Sequence, residues 1–469
     1  MASPPSSTSE PRTLVSHPEL RSHQSFPTFR TVGEPPKGWL ERLLSVFADV
    51  RGGEGASALL LAFNVFLILA ASYLIRNART VLILTEGQPL GLSGSQAQAV
   101  LSGFMAILLI GVIPLYGWIA SRVRRVLLIT IVTLFFAMNL AVFAALGASG
   151  TPLAAVFYIW AGIFNVFVLA MFWGFANDLY TEGQGRRLFP MIGVGASVGA
   201  LVGAESIRPL VRSLGFTPYS VMVTAGAVML VALAVTYIVN RRETARADPT
   251  AAKANEEPLG PQGGFTLVLQ DRYLTWIFIL MILVNVVNST GNYLLYTLVE
   301  TYSDTIADPT EQKNYVSLFQ GSFDALVSRV TLVLQLFATS RLIRFLGVRG
   351  SLFVLPLIAL VNYSIIAVAP ILAIIRVGKV LENSGDYSIQ NTVRQALFLP
   401  TSREAKYKAK AAIDTFGQRS GDVLAAVVVI VGGMLGFALM TFALINVALT
   451  AAWLWVAGQI AREHRKKTV

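Results

Sequence analysis

Twelve apolar stretches, each about as long as a bilayer-crossing helix, follow one another between residues 57 and 459. Crossing the hydrocarbon core of a membrane takes about 20 mostly apolar residues in a helix. The stretches predict spans at 57–84, 96–120, 126–147, 152–180, 188–206, 218–240, 273–300, 314–340, 350–368, 370–395, 411–433 and 436–459. This pattern predicts an all-α integral membrane protein with twelve transmembrane helices.

The loops that join these spans alternate in their content of basic residues. Lysine and arginine crowd every second loop and both ends of the chain, and they are scarce in the intervening loops. The crowded loops include Arg122, Arg186, Arg241, Arg341 and Lys406. Because cytoplasmic loops carry the excess of positive charge, we expect both termini in the cytoplasm and the protein in the cell inner membrane.

A polar segment divides the spans into two sets of six. Residues 241–272 are charged and rich in Pro and Gly over much of their length, which predicts a cytoplasmic linker. It separates an N-terminal six-helix bundle at 57–240 from a C-terminal one at 273–459. Two six-helix bundles that rock against each other are the layout of major-facilitator transporters.

The ends of the chain are polar. Residues 1–37 predict a disordered cytoplasmic tail, 38–51 an amphipathic helix in the membrane interface, and 460–469 a basic cytoplasmic tail. The net charge of +11 collects in such segments, where anionic lipid headgroups are the ordinary partner. We therefore expect contact with anionic lipid and no nucleic-acid partner.

Histidine and cysteine are missing from the predicted spans. The chain has no cysteine, and its three histidines (His17, His23 and His464) lie in the tails. Most metal sites and nucleophilic or acid–base active sites draw on these residues. We expect no metal site, no cofactor and no enzymatic activity.

The tenth span is the most polar. Arg376, Lys379, Glu382 and Asp386 follow one another at steps of three or four residues, so they share one side of a helix. Ionisable residues inside a span usually face a water-filled cavity or a charged partner. The stripe predicts a solute pathway, and a structural ion network is the alternative.

Other spans carry polar residues as well. Arg76 and Arg79 lie in the first span, Asn288 and Asn292 in the seventh, and Arg329 in the eighth. Arginine has a planar donor fork that matches phosphate and carboxylate, so this set favours an anionic solute. Snorkelling arginines and helix-joining amides are the structural alternatives. Asp324 in the eighth span and Asp414, Gln418, Arg419 and Asp422 in the eleventh add further charge and polarity.

Glycines recur every four residues in the fifth span, at Gly195, Gly199 and Gly203. Without a preceding strand, such a series has no context as a phosphate-binding loop. Small residues four apart in an apolar helix predict close packing against another helix.

Several segments resemble the ATP/ADP translocase family of plastids and intracellular bacteria. They are YLIRNARTVLILT (73–85), FWGFANDLYTEGQGRRLFPMIGVGA (172–196), YSIQ (387–390) and KYKAKAAIDTFGQRSGD (406–422). The resemblance implies a twelve-span, major-facilitator-like fold and nucleotide exchange.

The chain departs from this family at several charged positions, as a divergent member would. Arg79 and Thr80 stand where the family has Lys and Asp, Ala161 replaces a Glu, and Asp386 replaces a Lys. A Glu of the family's seventh span has no equivalent near Asn288. The resemblance therefore supports the fold more directly than the substrate.

These observations predict a secondary transporter that exchanges ATP/ADP-type nucleotides or related organic anions by alternating access. Arg76 and Arg79 would hold phosphates from the first half, and Arg329, Arg376 and Lys379 from the second. Glu382 and Asp386 would balance charge or carry a coupling proton. A proton-coupled carrier of another small solute and a non-transporting membrane scaffold or sensor are the alternatives. The sequence leaves the oligomeric state open.

Overall fold

A computed structural model describes residues 50–86, 91–120, 122–123, 125–180, 182–244, 264–402 and 404–468, with residues 38, 39 and 42 before them. The predicted tail at 1–37 lies outside the described residues, as do most of the predicted interfacial helix at 38–51 and residues 245–263 of the predicted linker. The regular structure of the described part is helical.

The first seven membrane helices follow the predicted spans. They are α1 (Gly55–Thr85), α2 (Gly94–Ala120), α3 (Arg125–Ala148), α4 (Ala154–Leu179), α5 (Glu182–Arg212), α6 (Pro218–Thr244) and α7 (Arg272–Ser303). A short helix, Gly264–Gln270, precedes α7 and occupies part of the predicted linker. The Asp271 side chain begins α7 by accepting a hydrogen bond from the Tyr273 backbone N–H at 2.9 Å, as an N-cap does.

The remaining helices are less regular. They are α8 (Pro309–Ser351), α9 (Val354–Val368), α10 (Leu372–Gly385, Asp386–Gln390 and Asn391–Leu397), α11 (Ala405–Met434) and α12 (Leu439–Thr468). The segments Leu334–Ala338 in α8, Asp386–Gln390 in α10, and Ala405–Ala409 and Ile413–Gly417 in α11 are π-helical turns. Such turns are rare and occur frequently at functional sites.

Most of these helices are long enough to cross a membrane. In the described part of the chain, ten are long and apolar enough to span a bilayer. The helix α9 is a shorter apolar helix, and α10 reaches its length through the π-helical turn. The chain is therefore a multi-pass membrane protein with helices at all twelve predicted positions.

Helix α8 continues past the end that the sequence predicts. It runs beyond residue 340 through Arg341 and Arg344 to a break at Gly347, whose φ is 68°, and a short helical segment with Arg349 follows to Ser351. The basic residues after residue 340 predict a loop at this position. A helix also satisfies its own backbone groups in the interfacial region, so charge alone does not end it.

The predicted close packing of the fifth-span glycines is confirmed. A Cβ atom added to Gly203 would lie 2.7 Å from the Ala70 carbonyl oxygen, and atoms added to Gly195 and Gly199 would lie closer still to Ala62 and Phe66. The backbones of α5 and α1 thus approach more closely than side chains would allow. This contact fixes α1, which carries Arg76 and Arg79.

The two halves, α1–α6 and α7–α12, are joined by polar contacts on one face of the molecule. It is the face opposite the one where α1 begins and α12 ends. We call this the distal face, and the other the proximal face. On it, Asn77 Nδ2 donates to the Ser317 carbonyl oxygen at 2.8 Å, and Lys313 Nζ lies 3.3 Å from Glu86 Oε1. Glu300 of α7 accepts hydrogen bonds from the backbone N–H groups of Gly94 and Ser95 at the start of α2. These contacts close the distal face.

Candidate functional site

A cavity of about 200 Å³ lies between the two halves, and we call it the central cavity. Helices α1, α2 and α4 line it from the first half, and α7 and α11 from the second. Its polar lining comprises Arg76, Arg79, Ser95, Gln98, Ser102, Tyr158, Asn285, Asn288, Ser289, Asn292, Tyr293, Tyr296, Gln418 and Asp422. The first half supplies the cations, and the second half supplies amides, hydroxyls and one carboxylate.

Arg79 has no anionic partner in the part of the chain that the structure describes. Its guanidinium lies 4.5 Å from the centre of the Tyr158 ring, and the Tyr158 hydroxyl lies 2.6 Å from Ser102 Oγ. The Arg79 Nε atom is buried without a hydrogen-bond partner, and no ion pair involves Arg79 among the described residues. A half-buried cation with a buried, unused donor is unfavourable until an anion reaches it.

Arg76 is paired across the two halves. Its Nε atom lies 3.7 Å from Asp324 Oδ2 on α8, and both side chains are largely buried. Gln320 Nε2 donates to the same carboxylate oxygen at 2.7 Å, and the Tyr296 hydroxyl donates to Gln320 Oε1 at 2.9 Å. An anion that enters the cavity therefore competes with Asp324 for Arg76.

Two of the predicted amides line the cavity, Asn288 and Asn292. Behind Asn288, the Lys379 Nζ atom donates to Asn288 Oδ1 at 2.6 Å and to its carbonyl oxygen at 3.2 Å. The amide of Asn288 is thus held in one orientation by a cation outside the cavity.

The structure places Lys379 and Glu382 behind the central cavity. Lys379 is fully buried, its Nζ atom lies 3.0 Å from Glu382 Oε1, and Glu382 Oε2 accepts from the Tyr363 hydroxyl at 2.7 Å. These groups form a network that joins α7, α9 and α10. Lys379 acts on the cavity through Asn288, because its own donors are engaged by protein groups.

The structure does not bring Arg329 and Arg376 to the central cavity. Arg329 forms an ion pair with Glu205 on α5, and Arg376 donates to Ser322 Oγ at 3.0 Å while covering the Phe319 ring. Arg329 follows Asp324 by five residues, which turns it roughly 140° around the helix at 3.6 residues per turn. Its side chain therefore leaves the face that meets Arg76.

Asp386 lines a second cavity, of about 260 Å³. Tyr387, Gln390, Asn391 and Arg394 of α10 share this lining, and Asn285 and Gln418 line both cavities. The Gln390 Oε1 atom is buried without a hydrogen-bond partner, and Arg394 Nε lies 3.7 Å from Asp414 Oδ1. The π-helical turn Asp386–Gln390 forms the wall of this second cavity.

Some residues of the central cavity were not predicted as site residues. Asp422 in the cavity, and Asp324 as the partner of Arg76 beside it, could have been found from the sequence, since both are ionisable groups within predicted spans. Nothing in the sequence marks Tyr158, Tyr296 and Ser102 as site residues, because aromatic and hydroxyl side chains in a span are typical of ordinary helix packing. Only the assembly of several helices places them around one space.

The comparisons with known sequences agree with this architecture. A family model described as "TLC ATP/ADP transporter" matches residues 153–464, more than half of the chain. ADP,ATP carrier protein 1 of Chlamydia trachomatis is 25% identical over 360 residues, which cover 66% of this chain and 67% of the relative. The chloroplastic ADP,ATP carrier protein 2 of Arabidopsis thaliana is 23% identical over 337 residues, which cover 64% of this chain and 53% of the relative. The chain thus spans about two thirds of the chlamydial protein and about half of the chloroplast one.

Solved structures show the same fold. A POT family transporter in complex with a thioalcohol-conjugated peptide matches with a TM-score of 0.64 at 16% identity, covering 93% of this chain and 99% of that one. The nucleoside transporter NupG matches with a TM-score of 0.60 at 16% identity, covering 86% and 99%. The major-facilitator-like fold is therefore confirmed. With the family model matched over more than half of its length, the chain belongs to the TLC ATP/ADP transporter family.

Proposed function

We propose that this protein is a secondary transporter that exchanges ATP/ADP-type nucleotides by alternating access, and that it performs no chemistry on them. The observation that carries the proposal is Arg79, a half-buried cation with a buried, unpartnered Nε atom and no anionic partner among the described residues, in a cavity between the two halves. Relatives named as ADP,ATP carriers make a nucleotide the solute class to test first. An unpaired arginine fork suits a phosphate group.

The solute extends through both cavities in this proposal. Pockets for ligands of this size measure about 300–1,000 Å³, more than either cavity provides alone. The central and second cavities share Asn285 and Gln418, so one elongated molecule can occupy both. The phosphates lie against Arg79 and Arg76, and the base and ribose reach the amides, Tyr387 and the Asp386 carboxylate. Asp386 repels phosphate and accepts from neutral donors, which sets the direction of the bound nucleotide.

The predicted site residues divide accordingly. Arg76, Arg79, Asn288 and Asn292 contact the solute, and Lys379 with Glu382 positions Asn288. Arg329 and Arg376 have no part in solute binding, because both lie outside the two cavities.

We also propose that the proximal face is cytoplasmic and that the membrane is the cell inner membrane. The last turns of α6 and α12 reach the proximal face and carry Arg241, Arg242, Arg465, Lys466 and Lys467. This excess of positive charge supports a cytoplasmic location under the positive-inside rule.

The test is uptake of labelled ATP into proteoliposomes preloaded with ADP, with ATP, or with buffer alone. We expect uptake only into nucleotide-loaded vesicles, since exchange requires a solute in each direction. Arg79→Gln should weaken ATP binding by about 30-fold or more, because a phosphate of the bound nucleotide loses its charged partner in the cavity. Arg242→Gln, at an exposed arginine on the proximal face, serves as the matched control and should leave uptake unchanged.

A proton-coupled carrier of another solute is the second candidate, favoured by the carboxylates of Asp422 and Asp386 in the two cavities. Its signature is uptake of a different solute that stops when a protonophore dissipates the gradient and that ATP and ADP do not inhibit. That result would contradict nucleotide exchange. Folded protein that takes up neither nucleotide nor any proton-coupled solute would instead support the scaffold or sensor alternative.

A further inference from the structure

A crevice of about 300 Å³ lies between α5 and α8, apart from the two cavities described above. It lies at the seam where the first half of the protein meets the second. Glu205, Arg208 and Arg212 of α5 line one side, and Ser322 and Arg329 of α8 line the other. Neither nucleotide exchange nor the ion network of α10 uses this crevice.

The crevice is positively charged. Arg329 pairs with Glu205, yet their side chains remain 58% and 41% exposed. Arg208 and Arg212 are exposed, and neither has a carboxylate within ion-pair distance in the part of the chain that the structure describes. Arg376 approaches from α10 and donates to Ser322 Oγ. Three lining arginines against one glutamate leave two uncompensated positive charges.

The helices that form the crevice expose apolar side chains along their length. Val194 and Val202 on α5 and Val333 on α8 are exposed, as is Leu214 just beyond the end of α5. Exposed apolar side chains on membrane-crossing helices face the acyl chains of lipids. Cations at such a boundary are unfavourable unless an anion or water reaches them. The anion that is always present at this boundary is the phosphate of a lipid headgroup.

We propose that this crevice is a binding site for the headgroup of an anionic phospholipid, whose phosphate is held by Arg208, Arg212 and Arg329. The arginine fork forms paired, charge-assisted hydrogen bonds with phosphate oxygens. Basic pockets between transmembrane helices bind such headgroups on the cytoplasmic side of membranes. The same contact between arginine and phosphate is available here towards the distal end of α5, where Arg208 and Arg212 lie. Because the arginines come from both halves, the bound phosphate bridges α5 and α8. The proposal does not depend on which solute is transported.

The test is native mass spectrometry of the full-length protein in detergent, titrated with phosphatidylglycerol. We expect saturable binding that falls about 30-fold in the double variant Arg208→Ala/Arg212→Ala, since each arginine near an anionic headgroup contributes about fivefold. The double variant Arg241→Ala/Arg242→Ala is the matched control, because it removes two exposed arginines from the end of α6. It should keep the affinity of the wild type at the crevice.

Three further measurements distinguish the possible sources of the phosphate and exclude misfolding as the cause of a lost affinity. Phosphatidylcholine should bind much more weakly, and inorganic phosphate should not displace the bound lipid at equal concentration. Glu205→Gln frees Arg329 from its ion pair, so it should strengthen phosphatidylglycerol binding about fivefold. A misfolded variant would not gain affinity.

Four outcomes would overturn the proposal. They are equal losses in the two double variants, equal binding of phosphatidylcholine, displacement by inorganic phosphate, and unchanged or weaker binding in Glu205→Gln.

Discussion

Arg76 and Arg79 are one helical turn apart on α1, yet their surroundings differ. Arg76 is 3.7 Å from Asp324, whereas Arg79 has an aromatic ring beside it and no anionic partner among the described residues. The sequence predicts both as phosphate ligands because it shows only that both lie in a span. The difference between a cation in an ion pair and a cation without an anionic partner depends on residues of other helices.

Lys379 provides a prediction at the scale of single residues. Lys379→Met would leave the buried Glu382 carboxylate without its cation, so we expect a loss of stability of about 3–5 kcal/mol. This would appear as a lower unfolding temperature in detergent. The double variant Lys379→Met/Glu382→Gln should recover much of that loss, because no uncompensated charge remains and Tyr363 keeps an acceptor.

The alternative for Lys379 is direct solute binding, as the sequence predicts. In that case Lys379→Met would unfold at the wild-type temperature while losing nucleotide binding. The double variant would then give no recovery of stability. Loss of transport alone does not separate the two roles, since Lys379 also orients Asn288.

At the scale of elements, the length of the apolar stretches located all twelve membrane helices. A segment that crosses the membrane must satisfy its own backbone hydrogen bonds, so a long apolar segment forms a helix there. The hydrophobic pattern therefore shows which segments cross the membrane. It does not report the π-helical turns in α8, α10 and α11, nor the continuation of α8 beyond residue 340 to the break at Gly347. Those features depend on packing against neighbours and on the interfacial environment.

The packing of α5 on α1 provides a prediction at this scale. Gly199→Ala would place a Cβ atom against the backbone of Phe66, so we expect destabilisation of about 1–3 kcal/mol from overpacking. Thermal unfolding in detergent measures the change. Gly193→Ala is the matched control on the same helix, because a Cβ there meets nothing within 4 Å. Equal unfolding temperatures for the two variants would show that the close approach is unimportant.

At the scale of the whole molecule, the contacts at the distal face suggest how solute binding and gating are linked. Asn77–Ser317, Lys313–Glu86 and the Glu300 contacts hold the distal ends of the halves together. The Arg76–Asp324 ion pair joins α1 to α8 beside the central cavity. A phosphate that draws Arg76 away from Asp324 weakens one of these links, so the loaded protein opens more readily than the empty one.

This mechanism, which rests on the proposed exchange function, predicts the behaviour of Asp324→Asn. The variant keeps a hydrogen-bonding partner for Gln320 but loses the ion pair, so the empty protein should change conformation more easily. We expect uptake of labelled ATP into buffer-filled vesicles to rise towards that into ADP-filled vesicles. Asp304→Asn, on the exposed end of α7, is the control and should retain strict dependence on internal nucleotide. A variant as dependent on internal nucleotide as the wild type would rule out the pair as a gate.

The sequence by itself determined the class of the protein, the positions of twelve helices, and the resemblance to the ATP/ADP translocase family. These are local properties, since length, hydrophobicity and motif are read from neighbouring residues. The tertiary structure alone decided the partners of the ionisable residues. Arg76 meets Asp324, which is 248 positions away in the chain, while Arg329 meets Glu205 and Lys379 meets Asn288. Such pairs depend on how the two halves pack and on how each helix is rotated about its axis. The pattern of apolar and polar residues along the chain specifies neither.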